Sequence, residues 1–142
     1  MSHPSVPCMR AVSYTNKYGK PVIPVNNNWI MSEKYDGQRA IWTGRQMVSR
    51  NGIIISIPSW LRDILEKFPF MVDGELYFGR GKFNLTGLFR SSDTSNLMWK
   101  KAIFMVFDIP SITLKQPLSK HSNKLLKIYL HNIKPVNTYQ YR

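Results

Sequence analysis

Lys34, Asp36, Gly37 and Arg39, within the stretch SEKYDGQRA, are the residues whose types and spacing best suit chemistry on a phosphate. They spell K-x-D-G-x-R. Gly37 allows a turn, and a turn leaving a sheet edge lets backbone approach a phosphate closely while a lysine and an arginine converge on it. The period of two along a strand puts Lys34, Asp36 and the side chain at Gln38 on one face. A solvated lysine beside a surface turn would produce the same four positions, so their context has to decide.

That context is a succession of strand-like and helix-like stretches. From Trp29 to Ile57, β-branched and aromatic residues alternate with polar ones, and Thr43-Gly44 and Asn51-Gly52 are turn signals, so the segment reads as a meander. PSWLRDILEKF then sets Trp60, Leu61, Ile64, Leu65 and Phe68 at helical spacing behind Pro58, a residue suited to a first helical turn. PFMVDGELYFG and KAIFMVFDIP are apolar strands separated by the polar, glycine-containing stretch 80–96, and LSKHSNKLLKIYLHN returns to helical spacing. Residues 1–28 carry four prolines and end in NNN, which predicts an extended arm ahead of one domain over 29–142.

Composition narrows the partners. The chain has 142 residues, 43% of them apolar, enough for one ordinary core. Its 20 Lys and Arg against 8 Asp and Glu leave a formal charge of +12, which points to polyanions such as nucleic acid, nucleotides or an anionic membrane surface. No apolar run approaches the roughly 18 residues needed to span a bilayer, and MSHPSVPCMR lacks the apolar core of a signal peptide. An intracellular protein without a membrane segment is expected. Cys8 is the single cysteine, so no internal disulfide is possible, and with three scattered histidines a structural zinc site is not expected.

Four stretches in order, SEKYDGQRAIWTG, SRNG, DGELYFGRGKF and FMVFDIP, resemble the nucleotidyltransferase (adenylation) domain of ATP-dependent DNA ligases, above all the small bacterial and viral forms. The resemblance covers roughly residues 29 to 130. It implies an α+β chain of the ATP-grasp-like DNA ligase fold, antiparallel sheets with flanking helices, truncated at its C-terminal side. It makes Lys34 the nucleophile that attacks the α-phosphorus of ATP and becomes lysyl-AMP. By the same resemblance Glu33, Arg39, Glu75 and Phe107 contact the nucleotide, with Phe107 stacking on adenine through its flat face. Glu75 also serves a magnesium ion, Asp36 orients the turn and Asp73 is a supporting acid. Arg50 holds the phosphate of the nicked DNA strand, a task suited to a forked guanidinium. Each residue also has a plainer explanation: a hairpin tip for Arg50, an acid at a strand end for Glu75, core packing for Phe107. GRGKF is not a P-loop, because no Lys-Ser or Lys-Thr follows in the required place.

The departures from the family are as specific as the match. Ligases carry a later E-G-hydrophobic motif and a K-x-K pair, yet all eight acidic residues here lie at or before Asp108. Lys115, Lys120, Lys124, Lys127 and Lys134 are spread along the terminal stretch and read as a solvated basic face or a phosphate-contacting surface. The oligonucleotide-binding-fold domain that usually follows is missing as well. The expectation is therefore a ligase-like enzyme that is incomplete by itself, acts on nicked duplex DNA and takes its missing motifs from a second polypeptide. An RNA ligase or mRNA-capping guanylyltransferase relative, and a non-catalytic remnant that binds nucleotide or nucleic acid, are the alternatives.

Overall fold

Turn chemistry builds the first half of the fold. In the computed structural model, which describes residues 13–21, 30–68, 70–110, 133–135 and 138–140, Gly44 and Gly52 both take positive φ, 93° and 78°. These are values that glycine adopts without the clash a Cβ would cause. Around them, strand β2 (Gln38–Trp42) folds back on β3 (Met47–Ser49), and β3 turns at Arg50-Asn51-Gly52 into an extended segment whose Ile54 bridges Val48. The Ser49 amide donates to the Ile53 carbonyl (2.7 Å) and the Ile55 amide to that of Met47 (2.9 Å), closing the hairpin. Both turn signals lie where the chain reverses.

Helix α1 (Ser59–Leu65) begins directly after Pro58, whose extended ψ of 150° starts the turn. It buries Leu61 and Leu65, with Trp60, Ile64 and Phe68 packed alongside. Truncating Leu65 would cost roughly 2–5 kcal/mol by leaving a cavity. Strands β4 (Val72–Tyr77) and β5 (Ile103–Asp108) follow. Between them lie two 3₁₀ segments, Phe83–Arg90 within the stretch read as a polar spacer and Leu97–Lys101 just after it, which insert Phe89 and Trp99 into the core. The five-stranded sheet runs β3-β2-β4-β5-β6, antiparallel through β5, with β6 (Ile133–Pro135) added parallel to β5. A separate ribbon pairs β1 (Ile30–Ser32) with β7 (Thr138–Gln140). This is an α+β architecture of antiparallel sheet and few helices.

Register gives the large sheet two unlike faces. Ala40, Trp42, Val72, Leu76, Phe104 and Val106 share the face that meets α1, Phe89 and Trp99 to form the main core. Arg39, facing Glu75, and Ile41, facing Asp73, share the other. The helix expected over 118–132, Cys8 and Lys115, Lys120, Lys124 and Lys127 lie outside the described residues. Of the expected arm, residues 13–21 form an exposed turn held by a Thr15–Pro21 bridge. Among the described residues no helix is long and apolar enough to cross a membrane.

Candidate active site

The second face of the sheet is where polar side chains meet. Arg39 on β2 donates two parallel bonds to Asp73 on β4, Nε to Oδ1 at 2.6 Å and Nη2 to Oδ2 at 2.5 Å. This forked geometry uses the planarity of guanidinium and carboxylate together. Asp73 is 2% exposed and the Arg39 side chain 24%, so the acid is buried and the base reaches outward. The Arg39 Cζ also lies 5.0 Å from the centre of the Phe107 ring. Phe107 is on this face because it lies two residues beyond Met105, which pairs with Glu75; next to it the register shifts, Asp73 pairing with Asp108 and Gly74 with Val106.

Lys34 is not on a strand. β1 ends at Ser32 and β2 starts at Gln38, so residues 33–36 form a connecting loop and the expected alternation of Lys34, Asp36 and Gln38 does not arise. Lys34 and Asp36 are exposed, while the Oε1 of Gln38 is buried with no hydrogen-bond partner among the described residues. The loop is fastened to β4 and the turn after it at three points. Arg80 Nη2 meets Glu33 Oε1 at 2.9 Å, the Tyr35 ring sits edge-on to Tyr77 at 5.0 Å, and the Gly37 amide donates to Glu75 Oε1 at 3.2 Å. Glu33 is thus engaged with an exposed arginine on the next loop.

Gly37 has a different role from the one its type suggests. Its φ is not positive, and a Cβ there would overlap the Leu76 carbonyl oxygen and crowd Glu75. The glycine permits close approach to β4 rather than a left-handed turn. Gly74 is under the same constraint, against the Met105 carbonyl. Such packing joins residues far apart in the chain, which a local motif cannot reveal. Tyr35, Tyr77 and Arg80 escaped sequence reasoning for that reason.

Glu75 is half-buried, and burial pushes its carboxyl above the ordinary value of 4.5. The Gly37 amide and the charges of Arg39 and Lys34 offset part of that rise, and Asp73 adds to it. Lys34 is therefore within electrostatic reach of Glu75. Next to this constellation opens a cleft of about 800 Å³ whose walls include Arg39, Glu75, Arg50 and Arg90. Arg50 is exposed at the tip of the hairpin after β3. Lys34 and Phe107 are not part of the cleft's lining; Phe107 stands against Arg39 on the sheet face, and Lys34 lies on the loop before β2.

No protein-family model matches the chain. It is 38% identical over 82 residues to a DNA ligase of Haemophilus influenzae, an alignment covering 58% of this chain and 30% of the relative. Among solved structures it superposes on one from a structure-function analysis of Lig E DNA ligases, on DNA binding with a minimal scaffold. That match has a TM-score of 0.72 and 28% identity over 94% of this chain and 53% of the other. A third match, to a structure described as Pmar-Lig_Pre, has a TM-score of 0.60 and 18% identity, covering 78% and 30%, and bears on fold alone. The chain thus spans about a third to a half of the length of these relatives.

Proposed function

We propose that this chain, a relative of the DNA ligases in sequence and in fold, is a ligase-type nucleotidyltransferase in which Lys34 is adenylated from ATP. Lys34 attacks as the neutral amine, releasing a proton to the solvent to which it is open. Its Nζ bonds the α-phosphorus, the bond to the bridging oxygen breaks, and pyrophosphate leaves with the electron pair. The AMP then passes to the 5'-phosphate of a nick in DNA, with Arg50 holding that strand. The observation that carries this reading is the convergence of Arg39–Asp73, Glu75 and Phe107 on one sheet face, with the Lys34 loop fastened to the same strand. Phe107 offers an apolar plane to the base, and Arg39, held by Asp73, a fixed cation to the nucleotide.

The donor set bears on magnesium. Among the described residues no three His, Cys, Asp or Glu converge as a metal cage. Magnesium is commonly held by one or two carboxylates plus substrate phosphates and water, so Glu75 fits as a single ligand to an ion arriving with ATP. Asp73 is already committed to Arg39. When bound, the ion neutralises triphosphate charge and stabilises the leaving group. Glu33 is held by Arg80 in a weak, exposed pair that leaves it open to exchange partners when a nucleotide binds.

The test is incubation of the protein with α-labelled ATP or GTP and magnesium, followed by denaturing electrophoresis. Covalent label from ATP alone is expected. Label from GTP alone would assign the chain to the capping-enzyme relatives, and no label with either would leave a non-catalytic binding protein.

A further inference from the structure

The cleft beside the site has two kinds of wall that its proposed nucleotide chemistry does not use. Ile53 and Ile54, consecutive residues after the hairpin tip, are 56% and 60% exposed and both line it. Isolated exposed isoleucines need no explanation, but an adjacent pair in a concave surface shared with arginines is a different matter. Arg50 and Arg90 contribute charge to the same cleft, and neither forms an ion pair among the described residues. Arg39, by contrast, is paired with Asp73 and already has its place in the proposed nucleotide site.

Both platforms are rigid. The isoleucines follow a turn closed by Ser49, whose Oγ accepts from the Ile53 amide at 3.2 Å and whose amide donates to the Ile53 carbonyl. Arg90 ends a 3₁₀ segment directly after Phe89, which stacks on Phe78 at 4.7 Å with an interplanar angle of 3° and touches Trp99 at 5.2 Å. Arginines without an ion pair among the described residues ask for an anion, and the apolar pair lining the same cleft asks for something apolar on that same ligand. A nucleic-acid strand has both, in phosphates alternating with sugars.

We propose that Arg50 and Arg90 hold phosphates of one nucleic-acid strand in this cleft while Ile53 and Ile54 lie against its sugars, so that the cleft selects deoxyribose over ribose. The C2' methylene of deoxyribose packs on the isoleucines without loss. A ribose hydroxyl in the same place gives up water and gains no hydrogen-bonding partner, a penalty worth on the order of tenfold in affinity. The inference rests on the reading of DNA as the acceptor and adds to it the groups that would distinguish DNA from RNA.

The test measures binding of the 142-residue chain to fluorescent nicked duplexes in which one ribonucleotide is walked along the strand flanking the nick. A 2'-fluoro nucleotide at the same positions is the comparator, because it favours the ribose-like pucker without a hydroxyl donor. The wild type should lose about tenfold at one or two positions with the ribonucleotide and little with the fluoro sugar. Replacing both isoleucines with serine (I53S with I54S) should supply hydroxyl partners and abolish the difference. Arg90→Ala should weaken binding to every duplex alike and lower the salt dependence by about one phosphate contact. Equal binding of all duplexes by the wild type, or a preference that survives the double substitution, would overturn the sugar-selection inference while leaving DNA as the acceptor. Failure to bind any duplex would overturn the acceptor reading and this inference with it.

Discussion

Arg39 and Asp73 tie the fold to the proposed function. Asp73 is buried, so removing its partner leaves a carboxylate without compensation. Arg39→Ala is expected to lower stability by roughly 3 kcal/mol, measured by urea denaturation. Asp73→Asn, which keeps an acceptor and leaves an arginine that reaches solvent, should cost roughly 1 kcal/mol. Comparable losses from the two would mean that the pair is not buried on the acid side. Loss of adenylation in Arg39→Ala must then be measured on folded protein, and should still exceed that in Arg50→Ala, whose side chain is proposed to serve the DNA. Glu75 carries the opposite balance. Its folded carboxyl binds a proton more tightly than the unfolded one, because burial disfavours its charge. Stability therefore carries no penalty below the ordinary value of 4.5 and falls as pH rises through the raised folded value. Glu75→Gln keeps an oxygen for the Gly37 amide and removes the charge. It should melt at higher temperature than the wild type at neutral pH, with the gap narrowing towards about pH 4, and should lose magnesium-dependent adenylation. A wild type more stable than Glu75→Gln at neutral pH would show that the carboxylate is net favourable to the fold.

At the scale of elements, what could be read from the sequence was local and what could not was long-range. The turns at Gly44 and Gly52 and the buried stripe of α1 follow from residues within a few positions of one another. The 3₁₀ segments did not show, since a three-residue turn broken by Gly, Ser and Asn gives no helical period and Phe89 and Trp99 look like isolated aromatics. The order of the site residues was visible, but the loop nature of 33–36 depends on where β1 finds β7, over a hundred positions away. Gly37 is the sharpest case. Its type suggested a turn, whereas its need is room against the Leu76 carbonyl. Gly37→Ala should therefore cost on the order of 1–3 kcal/mol and shift the Lys34 loop away from β4. A melt and an adenylation assay on the same variant would check this, and a fully stable, fully active Gly37→Ala would remove the close-approach argument.

For the whole molecule, the question is how much of a ligation cycle 142 residues can run. Residues 109–142 contain no Asp or Glu, and the 142 residues span 30% and 53% of the two DNA ligases they resemble. Transfer of AMP to a 5'-phosphate and its displacement by a 3'-hydroxyl both build negative charge that fixed donors must meet. One such donor is commonly worth about a hundredfold in rate. These 142 residues should accordingly seal nicked duplex poorly and improve when a polypeptide supplying a metal-binding glutamate and a paired lysine motif is added; efficient multiple-turnover sealing without it would contradict this expectation. The charge of +12 should make DNA binding steeply salt-dependent in either case. The proposed adenylation depends on the nucleophile, and the most direct measurement is peptide mapping by mass spectrometry after incubation with ATP and magnesium. AMP attached to the peptide containing Lys34, stable in acid and absent from Lys34→Ala, is the expected result. An unmodified Lys34 peptide, or an AMP adduct that persists in Lys34→Ala, would contradict it.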